Sequence, residues 1–274
     1  INDHVIYPGE TFSVHDTISP LTEENGYYAA PSYSNGEVVD SIGGGVCQVS
    51  TTLYNAVLKA ELEVTQRSNH SMIVTYVKPS MDAAIAGDYK DLKFVNNLDA
   101  PIYIEGYTVG KDIYFNIYGQ ETRPSNRKVT YESEVVSEED PGTQFVATGD
   151  AVGSISTTQG KHMGYVARLW KIVTVDGVEQ SRDAINKSTY KSSPKIVNVG
   201  TASADPNATA AVNAALATGD EATIYATVAQ YSGAGQTPAE TPAETPADGS
   251  AEAAAILGTV DESQITENTT TEGQ

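Results

Sequence analysis

Hydrophobic and polar positions fall into three regimes along the 274 residues. From Val46 to Leu62 apolar residues recur at helical spacing, with Val49, Leu53, Ala56, Val57 and Ala60 on one stripe, which predicts an amphipathic helix. Around it, short apolar runs predict strands at Glu37–Asp40, Ser71–Val77, Leu92–Val95, Ile102–Tyr107 and Asp112–Tyr118. The last two alternate and are joined by Thr108–Lys111, a hairpin signal. Turns are expected at Tyr7-Pro8-Gly9, ahead of a short strand through Phe12, and at Ser34-Asn35-Gly36. Residues 1–120 therefore read as an α+β domain with one main helix and an antiparallel sheet.

Residues 121–200 follow a different pattern. Arg127–Val136 and Tyr165–Val175 predict long strands, Asp176-Gly177 is a type I′ turn signal, and Ser193–Gly200 closes an extended all-β module. Beyond it Ala and Thr dominate, and a Thr-Pro-Ala-Glu repeat runs from Thr237 to Asp248. Residues 201–274 are expected to be a low-complexity tail, weakly structured over 201–231 and disordered over 232–274, because so few apolar anchors cannot offset the entropy of ordering.

Charge sharpens this division. The formal net charge is −20. Every Lys and Arg lies within residues 1–195, where the net charge is −9; the last 79 residues carry eleven acids and no base. Such a balance argues against a nucleic-acid partner. No apolar run approaches the ~20 residues of a membrane span. The start at Ile1, without initiator Met or signal peptide, is expected of a fragment or mature product, with any anchor upstream. Tyr outnumbers the other aromatics, 16 against 4 Phe and 1 Trp, a usage that suits either a β-rich surface or sugar contacts.

The chemistry concentrates around the single cysteine, Cys47, which excludes an internal disulfide and a zinc site built on paired thiolates. Gly43-Gly44-Gly45 precede it directly, so Cys47 is expected at a helix N-terminus, where uncovered N–H groups and the helix dipole stabilise a thiolate. The same N–H groups would receive the oxyanion of an acyl intermediate. Gly43, Gly44, Gly45, Gln48, Ser50 and Thr51 form the expected substrate and oxyanion loop, with Ser50, Thr51 and Thr52 capping backbone rather than attacking substrate. His70, in Arg67-Ser68-Asn69-His70-Ser71, is the candidate base, and Asp82 or Asp91 the carboxylate that orients it. The alternative from the residues alone is a close-packed glycine turn, with Cys47 filling a small pocket and His70 bonded to backbone. No metal-ligand spacing, nucleophile elbow or phosphate loop is present, and no metal or other cofactor is expected.

Taken together, these segments resemble the VanW-like domain family. The resemblance rests on Pro8-Gly9-Glu10-Thr11-Phe12-Ser13, Gly26-Tyr27-Tyr28-Ala29-Ala30, the block Gly43 to Tyr54, Arg67 to Ser71, Asp82-Ala83 and Asp91-Leu92-Lys93-Phe94. It implies an extracytoplasmic cell-wall or cell-surface protein of Gram-positive type bacteria, from a family named for a component of vancomycin-resistance clusters. Its expected partners are peptidoglycan stem peptides and wall glycan. Some members look like cysteine L,D-transpeptidases that form 3–3 cross-links, and the nucleophile there corresponds to Cys47. Where relatives often read Pro-Gly-Arg-Asp, this chain has Pro79-Ser80-Met81-Asp82, and where they often carry Asn it has His15. Residues 127–200 resemble the G-five domain, a module of bacterial surface proteins that implies wall-sugar binding or a stalk role. Set against the transpeptidase are a non-catalytic wall-binding or adhesion protein and a cysteine peptidase that hydrolyses stem peptides.

Overall fold

The computed structural model describes residues 1–34, 37–87 and 89–232. The Asn35-Gly36 part of the expected turn, and residues 233–274 of the segment expected to be disordered over 232–274, lie outside the described residues.

The first domain is α+β. One antiparallel sheet has the order β1 (His4–Ile6), β7 (Ile102–Val109), β8 (Asp112–Tyr118); a second has β2 (Thr11–Ser13), β6 (Lys93–Val95), β5 (Glu63–Gln66). A hairpin of β3 (Ala29–Ser34) and β4 (Glu37–Ile42) stands apart from both. The main helix, α2 (Val46–Lys59), follows the glycines, and the short α1 (Val14–Ile18) follows β2. The expected strand over Ser71–Val77 does not form. Met72 and Val74 are buried, but this segment joins no ladder.

Helix α2 ends three residues earlier than its apolar pattern predicts. Glu61 adopts a left-handed conformation (φ 55), its N–H donates to Leu58 O, and Leu62 N–H reaches back to Val57 O. This is a Schellman stop with Glu where Gly is usual. The buried face of α2 is also turned from the expected stripe. It holds Ser50, Thr51, Leu53, Tyr54, Val57 and Leu58, while Val49, Ala56 and Ala60 are only half-buried. Leu53 and Val57 pack with Phe94, Leu92, Ile102 and Ile104 in the first core.

The second module is all-β. A long antiparallel sheet pairs β12 (Gly164–Val175) with β9 (Arg127–Glu139) on one side and β13 (Val178–Tyr190) on the other. Asp176 and Gly177 both have positive φ, 51 and 78, as the expected type I′ turn requires. A smaller sheet places β14 (Lys195–Ala202) parallel to β10 (Thr143–Ala151) and antiparallel to β11 (Ile155–Gln159).

Two helices follow where weak structure was expected: α3 (Pro206–Thr218) and α4 (Glu221–Tyr231). Asp205 caps α3 with Pro206 in its first turn, Gly219 ends it in a left-handed conformation, and Asp220 caps α4. Val212, Ala215, Ile224 and Val228 bury against Val197 and Val199 of β14. Helical i, i+4 pairs hidden in an Ala/Thr-rich background are thus enough to order this stretch once a sheet face is available.

The two domains share a core: Leu169 of β12 is fully buried in the first domain's cluster. Hydrogen bonds cross the same junction from Tyr131 Oη to Leu58 O, from Asn186 Nδ2 to Tyr54 Oη, and from Ser133 Oγ to Pro79 O. Glu61 meets Arg127 and Lys171 of the second module there, together with Arg123 of the connection.

Candidate functional site

The glycine run creates the site's entrance by three separate constraints. Gly43 (φ 80) and Gly45 (φ 92) take left-handed conformations, and a Cβ on Gly44 would lie 2.3 Å from Ala30 O. The hairpin therefore packs directly on the loop, and any side chain at Gly44 would collide with its backbone. Gly45 is the N-cap of α2, which makes Cys47 the second helical residue, as expected.

Most of the loop's N–H groups are already engaged. Gly43 N–H donates to Tyr28 O, Gly44 N–H to Ser41 O, Val46 N–H to Gly43 O and Gln48 N–H to Gly45 O. Among the described residues, the N–H groups of Gly45 and Cys47 have no such acceptor, so these two remain to receive an anion. The broader oxyanion loop expected from sequence contracts accordingly. Gln48 is exposed with its N–H spent, whereas Ser50 and Thr51 are buried. Thr51 Oγ1 accepts from Ala83 N–H at 3.0 Å and fastens α2 to the segment carrying Asp82. Buried side chains of this kind do not reach substrate.

Cys47 is half-buried, and its Sγ lies 3.4 Å from both Ile85 N and Ile85 O. The His70 ring is close enough to act electrostatically on this thiol. His70 in turn bonds Asp82 through Nδ1, at 2.7 Å to Oδ2, which leaves Nε2 for the thiol. Tyr76 Oη lies 3.4 Å from that Nε2. Asp82 is fully buried and accepts four hydrogen bonds. Oδ2 takes His70 Nδ1 and His70 N–H, and Oδ1 takes Arg67 Nη2 at 2.6 Å and Tyr190 Oη.

The charges are arranged to sustain an ion pair. Burial opposes the His70 imidazolium, but its hydrogen bond with Asp82 and its interaction with Cys47 prevail and raise its pKa to about 9. Burial likewise opposes the Cys47 thiolate, yet His70, Ile85 N–H and the more distant Lys90 bring the thiol below its ordinary value. Asp82 is held low against its burial by His70, Arg67 and Tyr190. Arg67 and His70 thus face the Asp82 carboxylate together, with the Cys47 thiol beside them in the same cluster.

Of the two candidate carboxylates, only Asp82 meets His70. Asp91 accepts from Ser13 Oγ at 2.7 Å and His15 N–H at 2.8 Å, and braces the start of α1 instead. Sequence reading missed Arg67 as a functional group, although it lies three residues before His70, and missed Tyr190, more than a hundred residues away. No local signal points to the latter. A cavity of about 410 Å³ lies at the domain junction, lined by Tyr54, Glu61, Arg67, Tyr131, Lys171 and Asn186, and does not include Cys47. Among the described residues, no cluster of three His, Cys, Asp or Glu side chains is placed to hold a metal ion, and no helix is long and apolar enough to cross a membrane.

Comparison with known proteins divides the chain at the same junction. The VanW-like protein family matches residues 1–118, and the G5 domain family matches residues 125–202. The uncharacterized protein YoaR of Bacillus subtilis is 38% identical over 121 residues, covering 44% of this chain and 40% of that protein. The vancomycin B-type resistance protein VanW of Enterococcus faecalis is 31% identical over 110 residues, covering 38% of this chain and 40% of that protein. Each match thus spans about two fifths of the relative's length. Among solved structures, an IgA1 protease G5 domain is 26% identical, covers 28% of this chain and 94% of its own, and superposes with a TM-score of 0.21.

Proposed function

We propose, from the premise that the chain joins a VanW-like domain to a G5 domain, that it is a cell-wall-associated cysteine acyltransferase acting on peptidoglycan stem peptides. The observation that carries this reading is the array Cys47–His70–Asp82, in which a buried carboxylate holds an imidazole at 2.7 Å and that imidazole lowers the pKa of a helix-start thiol.

In the first step the Cys47 thiolate adds to the carbonyl carbon at an L-centre of the donor stem. A C–S bond forms, and the negative charge moves to the carbonyl oxygen, beside the N–H groups of Gly45 and Cys47. Collapse breaks the C–N bond to the terminal D-residue, whose amine departs with the proton from His70 Nε2. In the second step an acceptor-stem amine attacks the thioester, returns its proton to His70 and releases the thiolate. One amide replaces another, so the exchange needs no external energy source. The product is a 3–3 cross-link, which makes the reaction an L,D-transpeptidation. The G5 domain would hold the enzyme against wall glycan at the cell surface.

The test is intact-mass detection of an acyl adduct on Cys47 after incubation with tetrapeptide stems. The expected result is an adduct lost in Cys47→Ala. Cross-linked products still formed by Cys47→Ala would overturn the proposal. A second reading, a non-catalytic wall-binding protein, draws on the two contacts of Cys47 Sγ with the Ile85 backbone, which give the thiol a structural role. It predicts slow alkylation and unchanged wall binding in Cys47→Ser.

A further inference from the structure

We propose that Tyr190, a residue of the G5 domain, is a positioning residue for the site in the VanW-like domain: its hydroxyl donates to Asp82 Oδ1 and so sets the carboxylate that orients His70. This inference rests on the reading of Cys47 as nucleophile.

The hydroxyl has one orientation open to it. Ser80 N–H can only donate, and it lies 2.8 Å from Tyr190 Oη, so the oxygen accepts there and its single proton goes to Asp82. Tyr190 is 2% exposed, which prevents water from substituting for either partner. Ser80 itself is fully buried with φ 66, a left-handed conformation costly for a residue with a Cβ. Its N–H bond to Tyr190, its Oγ–Ser188 Oγ contact at 2.8 Å and its carbonyl bond from Asn186 Nδ2 hold it there.

Strand alternation explains how one edge does several jobs. Side chains at 188 and 190 point to the same face. Ser188 Oγ accepts from Arg67 Nη1 at 2.8 Å while Arg67 Nη2 donates to Asp82, so both residues act on the same carboxylate oxygen, one directly and one through the guanidinium. Backbone groups of the two residues that flank Tyr190 grip either side of His70. Thr189 O accepts from Asn69 Nδ2 at 2.9 Å, and Lys191 N–H donates to Ser71 O at 2.7 Å. Among the described residues, the charged and titratable groups about the cluster beyond Tyr190 are Arg67, His70, Cys47, Lys90, Tyr54, whose ring lies under Arg67, and Tyr76. A G5 domain tethered elsewhere would supply none of these six contacts from residues 188–191.

The experiment is the pH dependence of Cys47 alkylation by iodoacetamide in the full chain, followed by intact mass, with acyl-adduct formation from tetrapeptide stems measured alongside. In Tyr190→Phe the alkylation midpoint is expected to rise by about 0.5 pH unit or more, and adduct formation to slow by about tenfold. Tyr131→Phe, which removes a different hydrogen bond across the junction, is expected to follow wild type. A Tyr190→Phe profile that overlays a wild-type midpoint lying below the ordinary thiol value of about 8.5 overturns this inference alone. So does a Tyr131→Phe shift as large as that of Tyr190→Phe. A wild-type midpoint at the ordinary thiol value instead overturns the pairing of Cys47 with His70, and with it the proposed function. Should Tyr190→Phe fail to fold, Ser188→Ala replaces it, with a rise expected and an unchanged profile overturning the proposal.

Discussion

Asp82 Oδ2 accepts two hydrogen bonds from one residue, the backbone N–H and the Nδ1 of His70, both at 2.7 Å. The first fixes where residue 70 sits, and the second fixes how its ring is turned. Both depend on the carboxylate's charge. In Asp82→Asn one of the two acceptor oxygens is lost and the amide no longer stabilises the imidazolium. The Cys47 thiol should then titrate closer to its ordinary value, and alkylation near neutral pH should slow by about tenfold or more. Iodoacetamide kinetics across pH 5–10 would reveal it, and an unchanged profile would show that Asp82 does not act through His70.

His70 also links stability to pH. Its folded pKa is raised to about 9, above the ordinary 6.5, so its contribution is fully present below about 6.5 and is lost as pH rises through 9. Thermal unfolding of wild type should therefore fall between pH 7 and 10 more steeply than that of His70→Gln. Parallel curves would remove His70 as the cause.

Glu61 carries the opposite sign. Hydrogen bonds with Arg127 and Lys171 outweigh its burial and lower its pKa to about 2 from 4.5, so its contribution is present above 4.5 and disappears as pH falls toward 2. Glu61→Gln should cost about 1–3 kcal/mol at neutral pH, discounted for partial solvent screening, and little at pH 2. Glu61→Gly would relieve the left-handed backbone but still lose the ion cluster, a separation that urea titrations of the two variants would measure.

Gly44 is required by contact and Gly45 by conformation. Gly44→Ala drives a methyl into Ala30 O and should destabilise the chain by about 1–3 kcal/mol or displace the β3–β4 hairpin. A Cβ on Gly45 would meet nothing within 4 Å, so Gly45→Asn, which tolerates a positive φ, should cost about 1 kcal/mol or less. Thermal melts that rank the two variants the other way would contradict this assignment.

Leu169 measures how far the two domains form one structure. Leu169→Ala empties a fully buried position in the first domain's core and should cost about 2–5 kcal/mol. The loss should appear as one lowered transition. Two separate transitions, with only the G5 domain affected, would show that the shared core does not couple them.

Local patterns were sufficient for part of this protein. Helical spacing and the triple glycine located α2 and placed Cys47 at its start, and alternation located β7, β8 and the long strands β9 and β12. These features depend on neighbours a few residues apart, where periodicity and turn chemistry act directly. Local patterns misjudged what depends on a partner surface. Ser71–Val77 has buried residues but no strand to pair with, whereas 206–231 becomes helical because β14 covers its few apolar side chains. The site divides in the same way. Cys47 and His70 were legible as residue types, but choosing Asp82 over Asp91 required knowing which carboxylate the chain buries beside His70. Tyr190 and Ser188 were beyond reach, since a hydrogen bond joining residues more than a hundred positions apart leaves no periodic trace in the sequence. Only the docking of one domain on the other brings that hydroxyl to that carboxylate.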